Sequence, residues 1–145
     1  MDKIENKGWI PEPLYSEIKK LLPIPCIDLL IVNKGKLLLM KRNNQPGKDE
    51  WFTPGGRILK GERLEEAVYR ILEEETGLTP ISIMEKGAMT HLWPMVQTVT
   101  VFYRVEVTDD LVRMNEEHSR YKWVSEASDE LHKYVKEMVE RAEIF

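Results

Sequence analysis

The spacing of apolar residues predicts three helices and six strands. Apolar residues recur at helical spacing over residues 11–22, 62–76 and 128–144. Apolar runs or partial apolar–polar alternation predict strands over residues 26–33, 37–41, 51–53, 81–93, 96–107 and 121–124. A mixed sheet with helices packed on it accommodates these elements, so we expect an α/β fold formed by one domain over residues 1–145.

Glycine and proline mark the ends of several predicted elements. Pro23 stops the first helix, and Gly77 suits the left-handed position that ends the second. The sequence predicts a poor N-cap for that second helix, because Gly61 is the only residue of a plausible capping type before it. Residues 54–56, Pro-Gly-Gly, predict a turn that closes the short strand over 51–53.

Three consecutive glutamates in the second helix differ in their position around the helix axis. At about 100° per residue, one apolar stripe faces the sheet, formed by Leu64, Ala67, Val68, Ile71 and Leu72. Glu73 points away from this stripe, Glu74 lies on its flank beside Arg70, and Glu75 lies near its centre. A carboxylate on a core-facing stripe costs several kcal/mol unless something compensates its charge.

Two explanations for Glu75 remain open from the helix pattern alone. In the first, the helix end protrudes past the sheet and Glu75 is in water. In the second, a cation lies beside it. Because two adjacent acids without a nearby Cys or His favour a hard, oxygen-preferring ion, the second explanation predicts Mg²⁺, with Mn²⁺ as the alternative.

Composition and charge narrow the classes of function. The chain has 145 residues, 42% hydrophobic and 32% charged, which is typical of a globular protein. A net charge of −4 argues against broad nucleic-acid binding. We expect no membrane association and a cytoplasmic protein, because no apolar run approaches about 20 residues and the charged N-terminus lacks a signal-peptide core. The single cysteine, Cys26, is expected to be buried as a small apolar residue rather than to act as a nucleophile.

Residues 56–78, GRILKGERLEEAVYRILEEETGL, resemble the Nudix box, the signature of the Nudix hydrolases. The matching positions are Gly56, Glu62, Arg70, Glu74, Glu75, Gly77 and the apolar Leu78. Six such identities would arise by chance on the order of once in ten million starting positions. The resemblance implies the Nudix-type α/β/α sandwich and a Mg²⁺-dependent hydrolase of a nucleoside diphosphate linked to another group.

Ile71 departs from the usual box, in which a glutamate follows the arginine. This departure predicts either a degenerate, inactive domain or a subgroup that needs fewer metal ions. Residues 37–46, 51–57 and 116–123 favour the subgroup, because they are similar to the GDP-mannose mannosyl hydrolases. That branch also has a non-acidic residue after the arginine. It uses one Mg²⁺, attacks the anomeric carbon of the sugar and releases GDP and mannose.

The resemblance implies a metal site and a general base. The implied metal ligands are the backbone carbonyl of Gly55 and the carboxylate of Glu75, with Glu74 and Glu117 completing the predicted set. Glu117 falls where the branch has a third ligand that is normally an amide. His118 matches the general base that activates water, a role that suits a side chain titrating near neutrality.

The resemblance also implies residues that bind the substrate. Arg42 and Arg57 match arginines that bind the diphosphate and stabilise the charge of the leaving group. Arg70 matches the arginine that orients the glutamates of the box, and Asp28 aligns with an acid near the sugar. His91 and His132 have no comparable context and are interpreted as structural residues.

Several alternatives stay open at the level of sequence. Trp93, Tyr103 and Trp123 either stack on a base or sugar or pack in the core. The substrate is expected to be a small nucleotide, with ADP-ribose or a nucleoside triphosphate as alternatives to a GDP-sugar. The alternative from a different class of function is a nucleotide-binding domain without catalytic activity. The resemblance also suggests a homodimer, with residues 1–24 as an interface element.

Overall fold

The computed structural model describes residues 8–116 and 118–145. The chain forms three helices and seven strands within these residues. In chain order they are α1 (Leu14–Leu21), β1 (Ile24–Asn33), β2 (Lys36–Arg42), β3 (Trp51–Phe52), β4 (Gly55–Arg57), α2 (Leu64–Thr76), β5 (Pro80–Leu92), β6 (Gln97–Val107), β7 (His118–Val124) and α3 (Lys133–Arg141). None of the helices described is long and apolar enough to cross a membrane.

The strands form one mixed sheet. Its main order is β3-β2-β1-β6-β5, with β4 paired to β1 and β7 paired to β2. β1 and β6 are parallel, while the other pairs are antiparallel. The predicted mixed sheet is therefore confirmed, and β1 is its central strand.

Helices cover both faces of the sheet. The apolar stripe of α2 packs on one face, where Ala67, Val68, Ile71 and Leu72 are at most 1% exposed. On the opposite face, α3 buries Val135, Met138 and Val139 in a second core cluster. This arrangement confirms the predicted α/β/α sandwich and places the C-terminal end of α2 beside the start of β7.

Helix α2 begins and ends on different kinds of cap. Its N-cap is Arg63, whose N–H donates to the Glu66 carboxylate at 2.9 Å. Gly61, the only residue of a plausible capping type in the sequence before it, lies in the preceding turn with φ +90° and does not cap the helix. At the other end Gly77 has φ +70° and its N–H donates to the Glu73 carbonyl at 3.0 Å, as the sequence predicts.

Some element bounds differ from those predicted. The expected turn at Gly55 and Gly56 is strand β4, which pairs with Ile27 and Asp28 of β1. A Cβ at Gly55 would lie 2.5 Å from the Ile27 carbonyl oxygen, so only glycine permits this close pairing. Strand β7 starts at residue 118 rather than 121, and α3 spans only 133–141 of the predicted 128–144.

We expect that restoring the acid of the usual Nudix box at position 71 destabilises the fold. Ile71 is 1% exposed and packs against Gly56, so Ile71→Glu would bury a carboxylate and lower the free energy of unfolding by several kcal/mol. The conservative Ile71→Val should cost only about 1 kcal/mol. Urea unfolding of both variants without metal measures the difference, and equal stabilities would show that position 71 tolerates a charge.

Candidate active site

A cavity of about 430 Å³ opens between α1, the central strands and the loops that follow β2 and β5. Its size lies within the range of small-molecule sites in proteins, about 300–1,000 Å³. Five of the predicted site residues line this cavity: Asp28, Arg42, Gly55, Arg57 and His118. Arg70, Glu74 and Glu75 lie outside the lining, and Glu117 lies outside the residues that the structure describes.

Glu75 is buried beside His118. It is 6% exposed at the end of the apolar stripe, so the prediction that it faces the core is confirmed and the explanation of a protruding, wet helix end is wrong. Its Oε2 lies 3.2 Å from Nδ1 of His118, which is also 6% exposed. This Nδ1 is too poorly aligned for a hydrogen bond and has no other hydrogen-bond partner in the described part of the chain. The two side chains thus form a compact acid–imidazole pair next to the cavity.

The neighbouring glutamates face water. The Glu73 side chain is 62% exposed and pairs with Arg113 at 3.0 Å. The Glu74 side chain is 56% exposed and pairs with Arg70 at 3.0 Å, the contact expected from the i,i+4 spacing. Glu73 and Glu74 are therefore exposed and ion-paired with different arginines, whereas Glu75 is buried, in agreement with the predicted positions around the helix.

Arg70 holds α2 to the loop that follows β4. Its guanidinium donates to both carboxylate oxygens of Glu62, at 2.6 and 2.9 Å, and to the Arg57 carbonyl at 2.8 Å. Although burial acts to raise it, the hydrogen bonds from Arg70 lower the pKa of Glu62 below its ordinary value. Arg70 therefore fixes the backbone at Arg57 while the Arg57 side chain reaches the cavity.

Three cations line the cavity. The Arg42 Nε donates to the Pro46 carbonyl at 2.7 Å. Arg57 donates to the Gly8 carbonyl at 2.5 Å and lies 5.4 Å from the centre of the Tyr15 ring. Lys19, one turn after Tyr15, is the third cation. The N-terminal helix, which was expected as an interface element, thus contributes to the wall of its own chain's cavity.

Asp28 and His91 lie together at the buried side of the cavity. The Thr100 hydroxyl donates to Asp28 Oδ2 at 2.8 Å, and His91 Nδ1 lies 3.8 Å from the same oxygen. Burial raises the pKa of Asp28 to about 6, against the opposite effects of Thr100 and Arg42. Burial, together with the nearby His132, lowers the pKa of His91 to about 4. His91 is therefore neutral at pH 7 and forms no ion pair with Asp28.

His91 is a cavity residue that the sequence interpretation missed. It is 2% exposed, stacks on Tyr134 with ring centres 4.4 Å apart, and its Nε2 has no hydrogen-bond partner among the described residues. The signal that could have found it is the β5–β6 register, which places His91 opposite the cavity residue Thr98. His132, by contrast, is structural as expected, because its Nδ1 accepts from the N–H of Tyr134 at the start of α3.

The three aromatic candidates have two different environments. Trp93 lines the cavity and lies 5.7 Å from Phe52 between ring centres. Tyr103 and Trp123 instead pack in the core on the α2 side of the sheet. Cys26 lines the cavity beside Asp28 and is only half-buried, so the expectation that it is buried in the core was wrong. Desolvation raises the pKa of its thiol to about 12, which agrees with an unreactive cysteine.

The donor chemistry fits a hard divalent ion. Glu75 provides a buried carboxylate. Gly55 leaves the space beside Asp28 open, because a Cβ at position 55 would lie 2.6 Å from Asp28 Oδ1. Mg²⁺ is commonly held by one or two carboxylates, with waters and substrate phosphates as its other ligands. Within residues 8–116 and 118–145, no three His, Cys, Asp or Glu side chains form a ready-made cage. The described residues thus suit an ion that takes its remaining ligands from water and from the substrate.

The fold and the site define an α/β protein in which a glycine-containing strand and a glutamate-rich helix lie beside one cavity. The model of the NUDIX domain matches residues 23–141. The chain therefore belongs to the Nudix family, and it is a Nudix hydrolase. The resemblance noted in the sequence is confirmed at the level of the family, and the interpretation as a silent binding domain is not supported.

Similar proteins agree with this assignment. The chain is 31% identical over 134 residues to the low-salt glycan biosynthesis protein Agl8 of Haloferax volcanii, covering 87% of this chain and 86% of that protein. It is 47% identical over 58 residues to an ADP-ribose pyrophosphatase of Methanocaldococcus jannaschii, covering 40% and 34%. The crystal structure of the MutT protein from Methanosarcina mazei Go1 superposes with a TM-score of 0.75 at 29% identity, covering 85% of this chain and 95% of that chain.

We predict opposite pH effects on stability from Asp28 and His91. Between about pH 4 and pH 6 the folded Asp28 holds a proton that the unfolded chain releases, so this residue makes the free energy of unfolding fall as pH rises. His91 does the reverse between about pH 4 and its ordinary pKa, because there the unfolded chain holds the extra proton. Relative to the parent chain, Asp28→Asn should therefore gain, and His91→Asn should lose, roughly 2 kcal/mol on going from pH 4 to pH 6.

Chemical denaturation at several pH values measures both differences. Comparing each variant with the parent chain at the same pH removes the contribution of the other carboxylates. Differences that do not change with pH would show that neither side chain has a shifted pKa in the folded protein.

Proposed function

We propose that the protein is a Mg²⁺-dependent hydrolase of a nucleoside diphosphate-linked sugar, releasing the nucleoside diphosphate and the free sugar. GDP-mannose or another GDP-sugar is the proposed substrate. The observation that carries this proposal is one cavity that contains His118, two arginines and a buried acid, next to a helix with a single buried carboxylate. The similarity to a glycan biosynthesis protein supports a sugar-related substrate.

The arginines of the cavity suit a diphosphate. Arg42 and Arg57 would donate charge-assisted hydrogen bonds to its oxygens, as guanidinium groups do in a planar, forked geometry. Each guanidinium is already held by one backbone carbonyl, Pro46 for Arg42 and Gly8 for Arg57. Because these contacts limit reorganisation during the reaction, the arginines can stabilise the negative charge that develops on the leaving diphosphate.

His118 is the proposed general base. It takes a proton from the attacking water as the water oxygen forms its bond to the anomeric carbon. The bond from that carbon to the phosphate oxygen breaks, and its electron pair leaves with the diphosphate. The adjacent Glu75 carboxylate, 3.2 Å from Nδ1, stabilises the imidazolium that forms. Asp28 would bind a sugar hydroxyl at the buried side of the cavity.

Glu75 and the backbone carbonyl of Gly55 are the residues we propose to hold the metal ion. Glu117, whose role rests on the family resemblance, stays a predicted ligand, as does Glu74. When bound, Mg²⁺ supplies a positive charge that binds and stabilises a diphosphate. Mn²⁺ has similar oxygen preferences and is the proposed substitute.

Pyrophosphate cleavage is the second candidate. The 47% identity over 58 residues to a protein described as an ADP-ribose pyrophosphatase favours it. Under this alternative the same arginines bind the diphosphate, but water attacks phosphorus. Ile71 argues for attack at carbon, because a buried aliphatic residue replaces an acid that would otherwise help hold additional ions at the phosphates.

Isotope labelling distinguishes the two reactions. We expect hydrolysis of a panel of nucleotide sugars with Mg²⁺ in ¹⁸O-water to place the label on the free sugar. Mass spectrometry of the products locates it. Label on a phosphate instead would establish attack at phosphorus, and the absence of turnover across the panel would overturn the proposed substrate class.

Two neighbouring glutamates provide a matched test of the metal site. Glu75→Gln should abolish activity, because Glu75 is the buried carboxylate beside His118. Glu73→Gln should leave the rate nearly unchanged, because that side chain is 62% exposed and makes a surface ion pair. Initial rates at several Mg²⁺ concentrations measure both. Equal losses in the two variants would refute the assignment of Glu75 as the metal ligand.

A further inference from the structure

The connection between β6 and β7 is attached to the C-terminal end of α2. Backbone carbonyls in the last turn of a helix have no partners within the helix. Here the Arg113 N–H donates to the Thr76 carbonyl at 2.8 Å, and the Arg113 guanidinium donates to the Glu73 carbonyl at 3.1 Å. Asn115 provides a further contact, since its Nδ2 donates to the Glu74 carbonyl at 3.2 Å. The connection therefore caps the glutamate helix.

Asn115 does more than cap the helix. The same Nδ2 donates its second hydrogen to Oε2 of Glu75 at 3.0 Å. One amide nitrogen thus joins the backbone of Glu74 to the carboxylate of Glu75. Because Asn115 is neutral, it satisfies the buried carboxylate without neutralising the charge that would attract a cation.

Asn115 is also linked to His118. The His118 N–H donates to the Asn115 carbonyl at 3.4 Å, in the turn that leads into β7. His118 Nδ1 in turn approaches the same Oε2 of Glu75 that accepts from the Asn115 side chain. The side chain of Asn115 therefore orients the acid, and its backbone orients the histidine.

We propose that Asn115 is a positioning residue for this site, which holds the Glu75 carboxylate in the orientation that binds the metal ion and sets His118 beside it. This inference rests on the proposed function, in which Glu75 is a metal ligand. Partners that orient a metal ligand commonly contribute about 10- to 100-fold to metal affinity or activity. Asn115 is assigned a role of this kind rather than contact with the substrate.

The test measures metal affinity directly, without turnover. Mn²⁺ is titrated into the substrate-free protein, and the free ion is followed by electron paramagnetic resonance. Asn115→Leu keeps a similar volume and removes both donated hydrogens, so we expect Mn²⁺ to bind about 10- to 100-fold more weakly. Asn115→Ala repeats the measurement with a smaller side chain, and thermal unfolding establishes that each variant is folded.

Arg113→Ala is the matched control. It removes the side-chain contacts that attach the connection to α2, and these contacts are made to Glu73. We expect its Mn²⁺ affinity to stay within about twofold of the parent chain, because an exposed ion pair contributes little. Unchanged affinity in Asn115→Leu, or equal losses in the Asn115 and Arg113 variants, would overturn the positioning role.

A fourth variant separates this inference from the proposed function. Glu75→Gln should remove specific Mn²⁺ binding altogether. If Glu75→Gln binds Mn²⁺ as the parent chain does, the proposed metal site fails, whatever the Asn115 variants show. If Glu75→Gln loses binding while Asn115→Leu retains it, the metal site stands and the positioning role of Asn115 fails.

Discussion

The geometry of the site depends on the burial of one carboxylate at the end of a helix. Glu75 lies on the core-facing stripe of α2, where desolvation opposes its charge. It also lies in the last turn, where the helix dipole is unfavourable to an anion. The hydrogen bond from the Asn115 side chain offsets part of these costs. The connection between β6 and β7 must therefore follow the helix end closely, and this path fixes where β7 begins.

A second set of contacts, made by the guanidinium of Arg70, attaches α2 to its surroundings. Arg70 is paired with Glu62 and also binds the Arg57 carbonyl, so it ties the helix to the loop after β4. Together these two sets of contacts join β4, α2 and the start of β7 into one frame. Sites on such frames position side chains more closely than sites on free loops. Arg57 and His118 reach the cavity from two edges of this frame.

Local patterns predicted the long elements and the different environments of the three glutamates, because both depend on spacing along one segment. They failed at β4, where strand pairing depends on a contact between Gly55 and Ile27 that a local pattern does not contain. They also missed His91, which reaches the cavity only through the β5–β6 register and the stacking on Tyr134. Both β4 and the position of His91 depend on contacts between segments that are distant in sequence. The family resemblance rested on sequence motifs that do not include Asn115, so it did not predict a role for that residue.

Ile71 connects the fold to the proposed chemistry. A carboxylate at this position would face the core and Gly56, and it would need a cation close by to be tolerated. An aliphatic residue removes that requirement and completes the apolar stripe, so the helix can pack tightly while Glu75 remains its one buried acid. A reaction at phosphorus benefits from several ions around the phosphate, whereas a reaction at the anomeric carbon needs a stabilised diphosphate and a base aimed at water. The arginines and His118 in one cavity suit the second requirement, and on this ground we propose that the isoleucine at position 71 reflects a change of reaction rather than a loss of function.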